Sequence, residues 1–560
     1  MPASPRRSGR IGGTKSKTGC HTCKSVTHRE ISTDLCPSED ASDNFKPESA
    51  EYAAGKKNRI VYAATSRSTP TKLFNSSAQL LGHLPTHVPI SHAPWGEQQT
   101  GWRERRSFEF YFHRASASLS GDLDLAFWRG CVLQTCRMEP AVWDAIISLS
   151  ALYERPPLHE TPPFRLINAP AVIRSQTHRE ALVWYSRSLA VLQQRINQGT
   201  ANLGVSLISC ILFIAIELLQ GNRKAALGLY KQGAQLMINA DRGPWITTLT
   251  PIFRRIGTWA FINDGNFNEN WGLHMTVPSG RFVSIDEARN VLCGIVAEMK
   301  TLDNATKSHW KQAAASRKHQ ALALVTQRDH LRQQLDRWHR LFMSFKCSDT
   351  TESQGALSSV DGASALLLMT YTSVLIEIET ILSTDQAAYD EYETEFQHIL
   401  EYASNAIAAT RSPDGTQPPF MFEMGVFLPL FITALKCRFP QLRRQALQLM
   451  MEEAPPAQGL FMCGPAAHVI AVIVALEENP SMTSEQTLGV CRALKNPGCI
   501  PPSRNRVWDF SVSSDKDSEG QMQNWLHYSI RNFDDDDEGR IRFTQRSILF
   551  PGLSTPSYES

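Results

Sequence analysis

Two cysteines near the start of the chain have the spacing of a metal-binding turn. Cys20 and Cys23 form a C-x2-C pair, and the turn between them can present both thiolates to one Zn²⁺ ion in tetrahedral geometry. Lys15, Lys17 and Lys24 flank the pair, and such cations suit the phosphate backbone of DNA. A redox-active dithiol has the same spacing, but it normally opens a helix behind a strand. The segment has no such pattern, so zinc binding is the favoured interpretation.

The residues around these cysteines resemble the fungal binuclear zinc-cluster transcription regulators, the Zn(2)-Cys(6) family. Residues 18–24 read Thr-Gly-Cys-His-Thr-Cys-Lys and match the family's opening, Thr-Gly-Cys-x2-Cys-Lys. Arg29 stands where the family has a basic residue before its third cysteine. In that family six cysteines hold two zinc ions, and a short helix carries basic side chains into the major groove. The resemblance implies a zinc cofactor, with Lys15, Lys17, Lys24 and Arg29 contacting duplex DNA.

The sequence departs from the family's pattern after Lys24. Glu30 occupies the third cysteine position, and Val26 and Thr27 replace the two central basic residues. Because small domains of this kind depend on their metal for stability, these departures bear on DNA binding itself. Either the cluster has decayed in this protein, or the coding segment after Lys24 differs from the natural continuation.

A smaller zinc site remains open for the same segment. Cys36 lies where a fourth cysteine of the family could fall, and the next cysteine is Cys131, so the fifth and sixth ligands are missing. Three thiolates cannot build a binuclear cluster. His28 could instead complete a single-zinc set with Cys20, Cys23 and Cys36.

The resemblance extends loosely to the rest of the chain. Residues 107–112, 127–128 and 220–234 look like parts of the family's helical middle-homology region. The family likeness implies a nuclear, sequence-specific regulator of RNA polymerase II genes, which contacts the transcription machinery or other regulators and could form a homodimer. The alternative is a non-DNA-binding helical interaction protein that has lost a working zinc cluster.

Motifs of common enzyme classes are missing from the sequence. It has no Gly-x-Ser-x-Gly elbow, no His-Glu-x-x-His pair and no phosphate loop ending in Gly-Lys-Ser/Thr. These absences favour a protein that is not an enzyme. A pocket in the body could still bind a small effector.

Charge is unevenly distributed along the 560 residues. The formal net charge is only +2, with 57 basic and 55 acidic side chains. Residues 1–29 contain seven of the basic side chains and no acidic one, so the remaining 50 basic and 55 acidic side chains leave the rest at −5. This distribution excludes a protein that is basic throughout and indicates a basic arm on a slightly acidic body. No secretory signal or membrane span is expected, since the N-terminus is polar and the longest apolar run, Leu203–Leu219, contains Glu217.

Apolar residues recur at helical spacing from about residue 105 onward, which predicts an all-α body. The pattern predicts helices over residues 107–119, 141–153, 181–192, 205–219, 226–237, 285–301, 309–345, 363–382, 389–409, 425–437, 442–452 and 466–477. Two of these helices share an Ala-x3-Tyr stripe, which fits either stacked helical hairpins or an ordinary bundle. Five lone cysteines in apolar stretches are expected to be small buried residues of a reducing compartment: Cys131, Cys210, Cys293, Cys437 and Cys463.

Composition divides the chain into four parts. Residues 1–42 form the basic arm and truncated zinc-cluster-like segment, and residues 43–104, rich in Ser, Thr, His and Pro, are predicted to be a disordered linker. Residues 105–500 form the all-α regulatory domain, and residues 501–560 are expected to be a mostly irregular tail. The acidic run Asp534–Glu538 within that tail could be an activating segment or a solvated turn.

Overall fold

In the computed structural model, the part of the chain with helical apolar periodicity forms a series of helices. The structure describes residues 101–121, 123–157, 175–238, 245–263, 277–310, 314–350, 361–490, 498–516, 522–533 and 541–550. All of them belong to one unit, Ser68–Ser560. The predicted all-α class is confirmed in its main feature, since most described residues are helical and the sheets are small.

The first eight helices follow one another between residues 102 and 263. They are α1 (Trp102–Phe110), α2 (Ser116–Ser120), α3 (Val132–Cys136), α4 (Pro140–Glu154), α5 (Gln176–Asn197), α6 (Leu203–Leu219), α7 (Arg223–Ile238) and α8 (Ile246–Asn263). Turns of π-helix at Tyr111–Ala115 and Ala126–Cys131 precede α2 and α3. Local signals set several starts: Pro140 occupies the first turn of α4, and the Asn202 side chain accepts hydrogen bonds from the first amides of α6.

Seven further helices form the second half of the body. They are α9 (Ile285–Trp310), α10 (Ala314–Thr350), α11 (Gly362–Thr380), α12 (Glu393–Thr410), α13 (Phe427–Lys436), α14 (Pro440–Gln448) and α15 (Cys463–Glu478). The sequence pattern located most of their ends to within about five residues, but it ended α9 at residue 301, whereas the helix continues to Trp310. It did not predict α8, which contains Pro251 in its interior, a residue that usually marks a helix break.

Three hydrophobic cores hold these helices together. Core 1 is built by α4–α8 with the segment from Tyr111 to Cys136, and it is completed by Phe420, Phe422 and Leu460 from far along the chain. Core 2 joins α11–α15, and core 3 joins α9, α10 and part of α11. Both Ala-x3-Tyr stripes are buried in core 1. Tyr185 of the first stripe donates a hydrogen bond of 2.8 Å to the buried carboxylate of Glu217.

One helix has the length and hydropathy of a membrane span. This helix, α11, meets both criteria among the described residues, and most of its side chains pack into cores 2 and 3. The very apolar α6 is shorter, and nearly all its residues are buried in core 1. Burial on this scale is what core helices of folded domains show.

The C-terminal segment corrects the sequence prediction of a mostly irregular tail. Residues described beyond 501 form a three-stranded antiparallel sheet, β3 (Val507–Lys516), β4 (Met522–Arg531) and β5 (Phe543–Phe550), in the order β3-β4-β5. A two-residue hairpin, β1 (Ala457–Gln458) and β2 (Phe461–Met462), precedes α15. Leu526, Tyr528 and Ile530 alternate along β4 and face core 2. Such alternation with polar residues is the pattern of a half-buried strand, so the sequence contained a signal that the prediction of an irregular tail did not use. The run Asp534–Glu538 lies outside the described residues.

A buried ion triad attaches this sheet to the helices. Glu477 near the end of α15 accepts hydrogen bonds of 2.7 Å from both Arg443 of α14 and Arg506, and its other oxygen accepts the Val507 amide at 2.9 Å. All three charged side chains are at most 1% exposed. Arg506 also donates to the carbonyl oxygen of Lys436 at 2.8 Å. If these ion pairs separated, the charges would remain buried without a partner. The ion pairs therefore hold the start of β3 against the helices.

Substituting the shared carboxylate should release the sheet. We expect Glu477→Gln to lower the free energy of unfolding by about 3–5 kcal/mol, because two buried guanidiniums would lose their common partner. Urea unfolding followed by circular dichroism measures this loss. The control is Glu478→Gln, whose partly exposed carboxylate pairs with Arg444 at 2.8 Å, and it should cost much less. Equal losses in the two variants would contradict this role of the triad.

Candidate functional site

The residues that the sequence nominated for zinc and DNA all lie outside the described residues. These are Lys15, Lys17, Cys20, Cys23, Lys24, His28, Arg29 and Cys36. Within the described ranges, no group of three His, Cys, Asp or Glu side chains converges to hold a metal ion. The zinc prediction therefore stays a prediction, and the described site must be sought in the helical body.

The cysteines of the body are mostly buried thiols. Cys210, Cys437 and Cys463 are buried as expected, whereas Cys131 and Cys293 are only partly buried. Burial raises the pKa of the Cys210 and Cys463 thiols to about 12. At neutral pH these groups are protonated, which is the state of a packing residue rather than of a nucleophile.

A large pocket lies where the helices of core 1 meet those of core 2. It has a volume of about 640 Å³, within the range typical of small-molecule sites. Its walls come from residues 113–129, the start of α11, the end of α12, the segment 411–426 and the hairpin before α15. We call this cavity the junction pocket.

Apolar side chains cover much of the junction pocket. The larger apolar residues of the lining are Leu123, Leu125, Leu366, Ile407, Met421 and Val426, and several Ala and Pro residues complete it. Leu125 is 43% exposed. The interior is thus suited to an apolar group.

Gln458 and Glu423 are buried polar residues in the lining, and their partners lie within the protein. Gln458 accepts the Phe427 amide at 3.2 Å and donates to the carbonyl oxygen of Pro455 at 3.1 Å. Gly425, in the left-handed region at φ +55°, packs so closely that a Cβ would collide with the Gln458 side chain. Only glycine fits both the conformation and the contact, so Gly425 shapes this part of the pocket.

Glu423 belongs to a buried ionic cluster. Arg289 of α9 donates to Glu423 at 2.9 Å and to Asp124 at 2.7 Å. Arg255 of α8 donates to both oxygens of Asp124, at 2.6 and 2.8 Å. The four side chains are between 2% and 11% exposed. The cluster joins α8, α9, the turn before α3 and the pocket wall at one point.

The two arginines set the charge state of Asp124. Burial by itself would raise the pKa of this carboxyl, but the nearby positive charges of Arg255 and Arg289, and their hydrogen bonds, outweigh it. The pKa of Asp124 is therefore below its usual value. The carboxylate remains charged at neutral pH, and its pairing with the guanidiniums contributes to stability.

The mouth of the junction pocket carries cationic side chains. Arg114, Arg129 and Arg411 are exposed there. Arg411 pairs with Glu453 at 3.5 Å, and Arg114 lies close enough to Asp414 to lower the pKa of that carboxyl, after the larger effect of the hydrogen bonds from Thr416. Arg129 makes no ion pair with any side chain in the described ranges.

A second pocket of about 210 Å³ lies between α9, α11, α13 and β3. Asp303 accepts hydrogen bonds from Lys300 at 2.7 Å and Lys307 at 2.9 Å. Burial raises the pKa of Glu377 to about 7 and lowers the pKa of Lys436 to about 8. Its charges largely compensate one another, so this smaller pocket offers less to a ligand than the junction pocket does.

Sequence reasoning missed both the junction pocket and the ionic cluster. The members of the cluster are separated by up to 299 positions, between Asp124 and Glu423, and no local spacing connects them. One signal was present: Arg255 follows Arg254 within the apolar stretch 252–261, and a charge in such a stretch needs a buried partner.

Comparisons with known proteins found no relative of this chain. No protein-family model matches the chain, and neither the curated proteins nor the solved structures include a match. The function must therefore be argued from the residues and their geometry.

The depressed pKa of Asp124 predicts how stability changes with pH. Above the pKa of the unfolded chain the full contribution of this carboxylate is present, and it is lost as the pH falls through the lower folded-state value. We expect Asp124→Asn to cost about 3–5 kcal/mol at pH 7, because it leaves two buried arginines with one carboxylate fewer. The difference from the unsubstituted protein should narrow below about pH 4.

Urea unfolding at several pH values measures this difference. The control is Asp329→Asn on α10, where the carboxylate is half-exposed and its loss should change stability little at any pH. A difference for Asp124→Asn that stays constant from neutral to strongly acidic solution would show that this carboxylate is not charged in the folded protein.

Proposed function

We propose that this chain is a transcription regulator whose N-terminal cysteine segment binds zinc and contacts DNA, and whose helical body is regulatory. The observation that carries the proposal is the sequence of residues 18–24, Thr-Gly-Cys-His-Thr-Cys-Lys, which matches the opening of the Zn(2)-Cys(6) regulators. Seven basic side chains and no acidic one accompany it within residues 1–29. Such an arm favours binding to the phosphate backbone.

In this proposal the cysteines have one role and the basic residues another. Cys20 and Cys23 provide two thiolates, and Cys36 and His28 complete a single-zinc set. Lys15, Lys17, Lys24 and Arg29 then contact phosphates or base edges of the duplex. The chain acts in the nucleus on genes transcribed by RNA polymerase II, together with the transcription machinery and with a second copy of itself.

The layout of the chain supports a regulatory role for the body. A segment of linker composition, 43–104, separates the cysteines from helices that begin at Trp102. The helices build three connected cores and leave a pocket of about 640 Å³ at a junction between two of them. A body of this kind can bind partners or an effector without containing the DNA reader.

A second candidate is favoured by the departures from the family's pattern. Glu30 stands at the third cysteine position, and Val26 and Thr27 replace basic residues that would face the groove. In this alternative the chain is a helical interaction protein without a working DNA reader. It would act through protein contacts of the body alone.

Zinc content tests the proposal directly. We expect the purified full-length chain to contain one zinc ion, as measured by plasma mass spectrometry, and to bind a subset of duplexes selected from a random pool. The double variant Cys20→Ser, Cys23→Ser should lose both properties. As a control, Cys347→Ser and Cys499→Ser change exposed cysteines of the body and should keep both.

The metal content also separates the alternatives. A chain without zinc that binds no duplex would contradict the proposal and support the interaction protein. Two zinc ions per chain would contradict the single-zinc ligand set and indicate a complete binuclear cluster. Sequencing the transcript across codons 24–60 would then show whether the missing cysteines are restored.

The basic arm predicts a specific salt effect. Replacing Arg6, Arg7 and Arg10 with Gln should reduce the slope of log affinity against log salt by about 2–3, because each neutralised phosphate contributes nearly one unit. The selected base sequence should not change. Fluorescence anisotropy between low and moderate salt measures the slope.

The matching control removes three exposed arginines of the body, Arg137, Arg179 and Arg340. This triple Gln variant should leave the slope unchanged. An equal reduction in both triple variants would mean that DNA contacts are spread over the body rather than concentrated in the arm.

A further inference from the structure

We propose that the junction pocket binds a small amphipathic carboxylate, with an apolar body of roughly eight carbons in the cavity and the carboxylate at Arg129 in the mouth. This site goes beyond the proposed function, because it involves only residues of the helical body. It is independent of zinc and DNA.

The interior of the pocket selects an apolar group. Leu123, Met421 and Ile407 lie along it, and its buried polar side chains already have partners. Gln458 uses its oxygen for the Phe427 amide and its nitrogen for the Pro455 carbonyl. Glu423 accepts from Arg289. A polar ligand atom placed here would lose its water without finding a free partner, whereas an apolar group loses nothing.

The mouth selects a negative charge. Arg129 is exposed at the edge of the cavity and makes no ion pair among the described residues. Arg411 already pairs with Glu453 at 3.5 Å, whereas Arg114, like Arg129, makes no ion pair within 4 Å among the described residues. The guanidinium of Arg129 is therefore available to a ligand, and its two parallel donors match the two oxygens of a carboxylate.

The shape of the site fits the same ligand. Leu125, 43% exposed beside the cationic mouth, gives the entrance an apolar side against which a hydrocarbon chain can lie. The volume of about 640 Å³ admits a chain of this length with room for adjustment. The lining includes segments that pack in core 1 and others that pack in core 2, so a bound molecule would touch both and should raise the thermal stability of the body.

The test compares two ligands that differ only in charge. Octanoate should bind the full-length protein with a Kd of about 1 mM or tighter, as expected for about ten non-hydrogen atoms. It should also raise the thermal midpoint in a concentration-dependent manner. Octanamide, the neutral isostere, should bind roughly fivefold more weakly because it lacks the ionic contact. Isothermal titration calorimetry and saturation-transfer NMR measure both ligands.

Two variants locate the binding site. Arg129→Gln should weaken octanoate roughly fivefold and leave octanamide unchanged, since only the charge at the mouth is removed. Ala363→Trp, at the start of α11, places an indole in the cavity and should abolish binding of both ligands. Arg340→Gln removes an exposed arginine far along the chain on α10 and should change neither affinity.

The outcomes decide the proposal. Absence of octanoate binding to the folded protein, equal affinity for octanoate and octanamide, or full binding by Ala363→Trp would each overturn it. If Ala363→Trp does not fold, Arg129→Gln still decides whether the carboxylate is recognised at the mouth. Loss of zinc or of DNA binding leaves these measurements unaffected, so failure of this site and failure of the proposed function can be distinguished.

Discussion

The pairing of two buried arginines with two buried carboxylates is the constraint on which the body depends most. Arg255 and Arg289 come from neighbouring helices, whereas Asp124 and Glu423 come from segments almost 300 positions apart. None of these charges can be left alone in the interior without a large cost in free energy. The four segments must therefore converge in one arrangement, which joins cores 1 and 3 and fixes one wall of the junction pocket.

A second group of buried ion pairs lies where the C-terminal sheet meets the helices. Glu477 is shared by Arg443 and Arg506, and it also accepts the first amide of the C-terminal sheet. Hydrophobic contact supplies most of the attraction within each core, but it is not directional. Ion pairs with fixed hydrogen-bond geometry add direction at the places where cores and sheet meet. We infer that these pairs specify how the parts of the body join rather than how strongly each part is packed.

How much could be predicted from the sequence depends on the distance between interacting residues. The helices were predicted because their apolar residues recur every three or four positions, as with Tyr185 and Leu189. Helix α8 was missed because Pro251 interrupts its signal. The C-terminal sheet was missed although apolar and polar residues alternate along β4, as at Leu526 and Tyr528, because the segment was interpreted from its loop-like composition. The junction pocket and its ionic cluster depend on contacts between residues that are far apart in the sequence. No local pattern predicts such contacts. The cysteine segment is the opposite case, since its prediction rests on the local spacing of the cysteines and on the residues around them.

The late completion of core 1 has a consequence for biosynthesis. Phe422 lies edge-on against both Trp128 and Trp259, with ring centroids 5.1 and 5.9 Å apart, yet it follows the second tryptophan by about 160 residues. At a translation rate of about 5–20 residues per second, those residues take roughly 10–30 s to add. During that interval the residues of α1–α8 have been synthesised, but the ring that covers Trp128 and Trp259 has not. We expect the apolar surface around these two indole rings to stay accessible to molecular chaperones until Phe422 has been added.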